Sequence, residues 1–372
     1  MFMKHFTLRN KKKRKTKKKY TKKRKGRKGR KGKTVTRKRE GMKGRKGRTV
    51  SNKRHTKQAL FNTFIKKKGY PYKNITKKEA VNDFMKLKND TKGNPRSHFG
   101  IKSVNYGTEK NRVRTKYRNY SLIERWKNPV RKKKMLEFAR KLYLGKWGKN
   151  KTPKESVMDA ISLQWGTINT MRPSFAKNMY KKYKATRVLD ITAGWGSRMV
   201  AAMASDVDYI GIDSNTRLKP GYTKMYNAFK KESKSKVKMI YKKAEKVDFS
   251  SLGYYDFVFT SPPYEYLELY EGMEKYDGEK TKMALSASQL KGQSGFYDKF
   301  IVPTLKNAYK YLPKGKHMCI NMPDIMYKEI VARWKKADIE RDEQYDIAKR
   351  AGSDMKVKDR VGKEGVFCWK SK

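Results

Sequence analysis

From Thr186 onward the chain alternates short apolar runs with amphipathic stretches. Val188-Leu189-Asp190-Ile191, Tyr209-Ile210-Gly211-Ile212, Val237 to Tyr241 and Phe257-Val258-Phe259 read as strands, as do His317 to Met322 and Gly365 to Trp369. They are brief, rich in β-branched and aromatic residues, and bounded by polar residues. Between them, helical patterns run from Arg198 to Met203, Pro220 to Phe229, Tyr297 to Leu312 and Ile325 to Trp334. Alternation of this kind predicts an α/β domain over residues 151–372, built on a doubly wound, mostly parallel sheet. Residues 265–295 are polar and show no clear period. An interruption that long inside a compact domain is a candidate functional loop.

Upstream the pattern differs. Thr76-Lys77-Lys78-Glu79 is a capping box that opens a helix through Phe84 and Leu87. Leu122, Ile123 and Trp126 have helical spacing, as do Met135, Phe138, Leu142 and Tyr143 after Pro129. Residues 59–150 therefore read as a small, mainly helical accessory region. Within it, Tyr106, Arg112, Arg114, Tyr117, Arg118 and Tyr120 interleave cations with rings. Two readings stay open for this stretch: a nucleic-acid groove that stacks bases and holds phosphates, or a solvated strand pair with its rings turned inward. Within the 1–58 tail, residues 10–58 are almost pure Lys, Arg, Gly and Thr. So few apolar side chains cannot offset the entropy of ordering, which predicts a disordered tail.

Charge sharpens the division. Residues 1–58 carry net +28, residues 59–186 net +25 and residues 187–372 net +10, which together make the formal +63 of the chain. The gradient predicts a polyanion-binding front joined to an ordinary globular domain. The tail would bind nucleic acid by counterion release without sequence preference, and could double as a nuclear localisation signal. A solvated tail with no specific partner is the plainer reading. The two cysteines, Cys319 and Cys368, lie in no metal-binding spacing, so neither a zinc site nor a disulfide scaffold is expected. Their scarcity fits a reducing compartment. No apolar run reaches the length of a membrane span, and the N-terminus reads as neither a secretory signal nor a transit peptide.

Chemistry concentrates at the strand ends. Asp190-Ile-Thr192-Ala-Gly194-Trp-Gly196 follows the first strand and opens a helix. Glycines at such a turn let a ligand approach the backbone closely. Asp213 follows the second strand, where an acid accepts hydrogen bonds from ribose hydroxyls. The order strand, glycines, helix, acid predicts a nucleoside site. Met199 stands at the last glycine position of Gly-x-Gly-x-x-Gly, which argues against a dinucleotide, whose pyrophosphate must fit there. Ser261-Pro262-Pro263-Tyr264 follows the fourth strand. Enzymes that methylate exocyclic amines need a polar side chain and a proline carbonyl to hold the amine hydrogens, and a ring to stack on the base.

On these residues the chain resembles the class I S-adenosylmethionine-dependent methyltransferases, and more narrowly the amino-methyltransferases of cytosine N4 and adenine N6 in DNA. The resemblance covers about residues 160–372. It implies a Rossmann-like, mostly parallel seven-stranded sheet and S-adenosyl-L-methionine as cofactor. Asp190, Gly194 and Gly196 match its first motif, with Ile191 and Thr192 in place of the usual Pro and Phe; Thr192 is a cofactor-binding candidate by its place in that turn. Asp213 matches the ribose acid, and Glu245 and Asp248 stand where an acid often contacts the adenine amino group. Either could instead be a surface acid. Ser261, Pro262, Pro263 and Tyr264 match the catalytic motif, and Met171-Arg172-Pro173-Ser174-Phe175 resembles a cofactor-side motif. Trp195 could cover the cofactor or belong to the core. Tyr266, Glu268 and Tyr270 could shape the base pocket or form a half-buried edge.

The resemblance implies direct methyl transfer to a base flipped from a duplex or taken from a single strand. Neither cysteine follows a proline, so the covalent route of cytosine C5 methylation is not implied. DNA is the first partner expected, with RNA as the alternative and an inactive nucleic-acid-packaging protein as a second reading. No metal, membrane or general-base histidine is implied. The setting expected is intracellular, in the nucleus or wherever the DNA lies, a viral or phage genome included.

Overall fold

The computed structural model describes residues 55–67, 69–116, 120–168, 170–263, 295–334, 341–346 and 364–372. The 1–54 stretch, Tyr117, Arg118, Tyr264 and the segment carrying Tyr266, Glu268 and Tyr270 lie outside the described residues. Residues 54–372 form one compact unit.

Residues 55–65 form a helix, α1, so residues 55–58 of the expected tail are helical. Five helices and a short one follow: α2 (Lys77–Lys88), α3 (Ile101–Arg112), α4 (Leu122–Lys127), α5 (Pro129–Leu144), α6 (Pro153–Gln164) and α7 (Pro173–Lys182). The capping box expected at Thr76 is present. Thr76 Oγ1 accepts from the Glu79 amide at 3.2 Å, and Glu79 Oε2 accepts from the Thr76 amide at 2.9 Å. Ser121 with Glu124 and Thr152 with Glu155 repeat the device at α4 and α6. Thr152→Ala should cost about 1 kcal/mol of stability in a urea titration, because it strips the first turn of α6 of its side-chain acceptor.

The strand-pair reading of residues 102–120 is overturned. Most of that stretch is helix α3, whose buried Ser103, Val104, Asn105 and Thr108 form one face. Tyr106 lies under the Lys224 ammonium, 3.8 Å from its ring centroid, and Arg112 bonds to Asn105 and to the Ile168 carbonyl. Tyr106 thus meets α9 (Lys219–Phe229), and Arg112 ties α3 to the segment after α6.

The α/β part runs β1 (Arg187–Asp190), α8 (Ser197–Ala204), β2 (Asp208–Ile212), α9 (Lys219–Phe229), β3 (Val237–Ile240) and β4 (Phe257–Thr260). A π-helical segment, Gly295–Ile301, leads into α10 (Val302–Lys310), followed by β5 (His317–Pro323), α11 (Asp324–Arg333), β6 (Arg341–Asp346) and β7 (Glu364–Lys370). Among the described residues the sheet has seven strands, in the order β3-β2-β1-β4-β5-β7-β6. Strands β1 to β5 pair in parallel, and β7 runs antiparallel to both β5 and β6. This is the doubly wound, mostly parallel architecture that the alternation predicts.

Successive strand residues point to opposite faces. Val188, Tyr209, Phe257 and Phe259 join one buried layer, while Leu189, Ile210 and Val258 join the other. The first layer also takes Ala80, Phe84, Leu87 and Val104 from α2 and α3, with Phe84 stacked on Phe229 at 4.7 Å between ring centroids. Helices α3 and α9 cross so closely that a Cβ on Gly107 would lie 2.6 Å from the Gly221 carbonyl oxygen. A third cluster, with Phe61, Trp126, Met135, Tyr143 and Val157, binds α1, α4, α5 and α6 to each other. Buried Asp256 ties the sheet's lower edge, accepting from the Thr186 and Arg187 amides at 2.9 Å and from Lys316 Nζ at 3.3 Å.

The expectation of no disulfide is corrected. Cys319 on β5 and Cys368 on β7 are directly opposite in the antiparallel register and are joined by a disulfide, 49 residues apart in sequence. Both are fully buried. Spacing along the chain gives no sign of this pairing, because only the return of β7 beside β5 creates it.

Candidate active site

The chain leaves β1 toward β2 and β3 on one side, and β4 leads to β5 on the other, so β1 and β4 flank the switch point of the sheet. Ligands in open α/β sheets bind at the carboxyl ends of strands at such a point. The turn 191–196, Asp213 and Ser261-Pro262-Pro263 all sit there, after β1, β2 and β4.

Asp190 closes β1 and is fully buried. Its Oδ2 accepts from Arg198 Nε and from the Tyr209 hydroxyl, both at 2.6 Å, and its Oδ1 accepts from Thr260 Oγ1 at 2.9 Å and the Thr192 amide at 3.3 Å. All of its acceptor capacity is spent inside the protein. Arg198 is also buried and donates onward to the Thr192 carbonyl. Burial works against its charge, but Asp190 outweighs that and holds the guanidinium pKa above its usual value. Asp190 thus shapes the turn through Arg198 and offers nothing directly to a ligand.

The turn carries two positive-φ glycines, Gly194 (58°) and Gly196 (80°). They differ in surroundings. A Cβ on Gly196 would strike Met225 Cε at 2.6 Å, so that glycine serves packing at the start of α8. A Cβ on Gly194 would meet only the Thr192 carbonyl, at 3.7 Å, so the space in front of it is open. Thr192 and Gly194 are half-buried, while Ala193, Trp195 and Gly196 between and after them are buried. Trp195 is buried and joins the core cluster.

Asp213 accepts from the Gly194 amide at 2.7 Å and from the Asn215 amide at 2.8 Å, one on each oxygen. A carboxylate has about four acceptor sites, so two remain for other donors. Burial raises its pKa to about 6, against the pull of the two amide bonds, and the charge on Asp190 adds to the rise. Tyr241 follows β3 as Asp213 follows β2, and the two residues interact. Its ring is half-buried, and burial and the Asp213 charge push the phenol up to about 12. Sequence reading passed over Tyr241 as a strand end; its position immediately after β3, level with Asp213, was the available signal.

Glu245 lies half-buried in a 3₁₀ turn, Ala244–Lys246. Asp248 is exposed and caps the next turn, accepting from the Ser250 amide at 2.9 Å and hydroxyl at 2.6 Å. Those bonds hold its pKa below the usual carboxylate range. Its side chain is thus occupied as a cap. Arg172 and Ser174 secure the 95–97 loop, and Phe175 packs on Phe259.

Ser261 and Pro263 are half-buried and Pro262 is buried. The register that pairs Thr260 with Ile320 places Ser261 beside Asn321, whose Nδ2 donates to Ser261 Oγ at 3.2 Å. Asn321 is buried, and nothing in the sequence marks it. One further bond laces the two motifs together. Thr192 Oγ1 lies 2.6 Å from Thr260 Oγ1, and the Thr260 proton is committed to Asp190, so Thr192 donates. The glycine turn and the Ser-Pro-Pro segment are therefore fixed side by side. Among the described residues no helix is long and apolar enough to cross a membrane, and no group of three metal-ligating side chains occurs.

No protein-family profile and no curated protein matches the sequence. Solved structures resemble the chain weakly. A putative class I S-adenosylmethionine-dependent methyltransferase from Listeria monocytogenes is 11% identical with a TM-score of 0.39, over 79% of this chain and 88% of that one. TehB from Haemophilus influenzae is 13% identical with a TM-score of 0.34, over 57% of this chain and 66% of that one, just under two thirds of its length. An rRNA methylase from Streptococcus thermophilus is 8% identical with a TM-score of 0.33, over 55% of this chain and 99% of that one. The architecture here rests on the sheet order, and the site rests on its own geometry.

Proposed function

We infer that the chain transfers a methyl group from S-adenosyl-L-methionine to an exocyclic amino group of a nucleic-acid base, cytosine N4 or adenine N6 in DNA. One observation carries this reading. The open glycine turn and the Ser261-Pro262-Pro263 segment end adjacent strands and are hydrogen-bonded to each other through Thr192 and Thr260. A nucleoside site and an amine-holding site are thus neighbours. The residues present fit the cofactor: Gly194 leaves room for a ligand against the backbone, and Asp213 keeps two acceptor sites.

When bound, that cofactor supplies an electrophilic methyl. The chain's own residues do the positioning. Asp213 accepts the ribose hydroxyls, and Tyr241 flanks the nucleoside. Ser261 Oγ and the Pro262 carbonyl accept the two amine hydrogens, which draws the nitrogen lone pair out of conjugation with the ring. Asn321 holds Ser261 in place for this task. Tyr264 stacks on the extruded base. Glu245 is the remaining acid for the adenine amino group.

The test is incubation of the full chain with labelled cofactor and either DNA or RNA, followed by nucleoside mass spectrometry. N4-methylcytosine or N6-methyladenine from DNA is the expected product. The same product from RNA alone would move the activity to RNA, and no labelled nucleoside from either would sink the reading. Ser261→Ala should lower the rate about tenfold, the worth of one hydrogen bond made in the transition state, and leave cofactor affinity unchanged. The charge of +63 favours a second reading, a nucleic-acid-packaging protein with an inactive domain. It predicts strong nucleic-acid binding with no cofactor turnover.

A further inference from the structure

We propose that the exposed ridge of α5, bounded by Tyr120 and Trp147, is a docking track for a single nucleic-acid strand. The proposal rests on the nucleic-acid reading above and places the contact on α5, keeping only Tyr120 from the interleaved Arg and Tyr residues of the 102–120 stretch.

Helix α5 buries Met135, Ala139 and Tyr143 against its neighbours. Its opposite side exposes Lys133, Lys134, Glu137, Arg140 and Lys141, a stripe at helical spacing with one acid among four cations. Residues 120–165 as a whole hold twelve Lys or Arg against four acids. A basic stripe alone would be an ordinary solvated face. What sets this one apart is an exposed aromatic at each end, each already paired with a cation.

At the start, the Tyr120 ring is 44% exposed and the Arg131 guanidinium lies 4.1 Å over its centroid. Past the end, Trp147 is 55% exposed with Lys151 Nζ 4.7 Å from its centroid. Trp147 Nε1 donates to Asp159 at 2.9 Å, and Lys151 pairs with the same carboxylate. The indole is thus fixed in orientation while one face stays in solvent. A ring held by a cation on one face and open on the other is a stacking platform for a base. The sixteen residues of α5 span about 24 Å, so the platforms sit several nucleotides apart with cations between them. A surface cavity of about 260 Å³, lined by Arg140, Lys141, Leu144 and Gly145, lies near the Trp147 end of the track. It offers two cations and an apolar wall to a nucleotide. Stacking and phosphate contacts of this kind bind without sequence preference.

The test uses the full chain with single-stranded oligodeoxynucleotides and oligoribonucleotides of one sequence, carrying photoreactive pyrimidines. Crosslinked peptides containing Tyr120 or Trp147 are expected; crosslinks confined to residues 1–54 would overturn the proposal. The Lys133→Glu, Lys134→Glu, Arg140→Glu triple variant should flatten the salt dependence of binding, by about 2 in the slope of log K against log salt. Trp147→Ala should weaken binding about tenfold. These side chains are exposed, and a melting temperature equal to wild type checks folding; if Trp147→Ala melts early, the charge variant decides. An unchanged slope, with wild-type and variant methylating alike, removes the track and leaves the activity standing. Loss of binding in the variants of a protein that methylates no nucleic acid would do the reverse. The strand type that crosslinks separates DNA from RNA.

Discussion

Replacement of Asp190 by alanine should destabilise the protein by about 3–5 kcal/mol in urea unfolding. The carboxylate is completely buried, and so, nearly, is the Arg198 guanidinium bonded to it at 2.6 Å. Deleting the acid strands that cation where water cannot reach, and leaves the Tyr209 hydroxyl and the Thr260 hydroxyl without their acceptor. The loss comes from what remains behind and not from the worth of the ion pair itself. Two companions separate these terms. Asp190→Asn keeps the shape and some hydrogen bonds but removes the charge, so its cost should fall between zero and that of alanine. Asp190→Leu combined with Arg198→Met removes both charges and should recover most of the stability. The recovered protein should still bind cofactor poorly, because Arg198 no longer grips the Thr192 carbonyl and the turn carrying Gly194 is loosened. An Asp190→Ala variant within about 1 kcal/mol of wild type would mean that solvent or a rearranged side chain neutralises Arg198.

The parts of this fold that were legible in the sequence are those whose burial is complete. Strands β1, β2, β4 and β5 are apolar runs because both faces of a central parallel strand are covered. Strand β6, Arg-Asp-Glu-Gln-Tyr-Asp, carries no such run. Among the described residues it stands last in the strand order, beside β7. Helix α3 was obscured by Gly107 and by the Arg and Tyr residues that follow it. That glycine weakens the helical signal, yet it is required where the α9 backbone passes within contact distance. Capping boxes were legible because they are local. Asn321, Tyr241 and the cysteine pair were not, since each acquires its role from a strand register. Asp213 was legible by position, but not that it already holds two backbone amides or that burial pushes its pKa up to about 6.

That last property gives the second large effect. Affinity for S-adenosylhomocysteine, the product form of the cofactor, should be flat above about pH 7 and fall about tenfold per unit once pH drops below about 6. The ribose hydroxyls are donors, and the two acceptor sites left on Asp213 accept both of them only while the carboxylate is ionised. A proton on either oxygen turns an acceptor into a competing donor. Stability of the ligand-free protein should run the opposite way. The folded carboxyl keeps its proton up to about pH 6, whereas the unfolded one releases it near 3.8. Between those values the folded state binds more protons, so the contribution of Asp213 to stability is fully present below the lower value and declines as pH rises through the window. The ionised acid that favours the ligand is the one the empty fold tolerates least. Asp213→Asn should remove both dependences and bind about 100-fold more weakly, since two hydrogen bonds to a charged acceptor are lost. Calorimetric titrations of wild type and Asp213→Asn at pH 5, 6, 7 and 8 separate these expectations. If the two proteins share one pH profile, Asp213 is not the ribose acceptor, and the nucleoside site must be sought elsewhere along the strand ends.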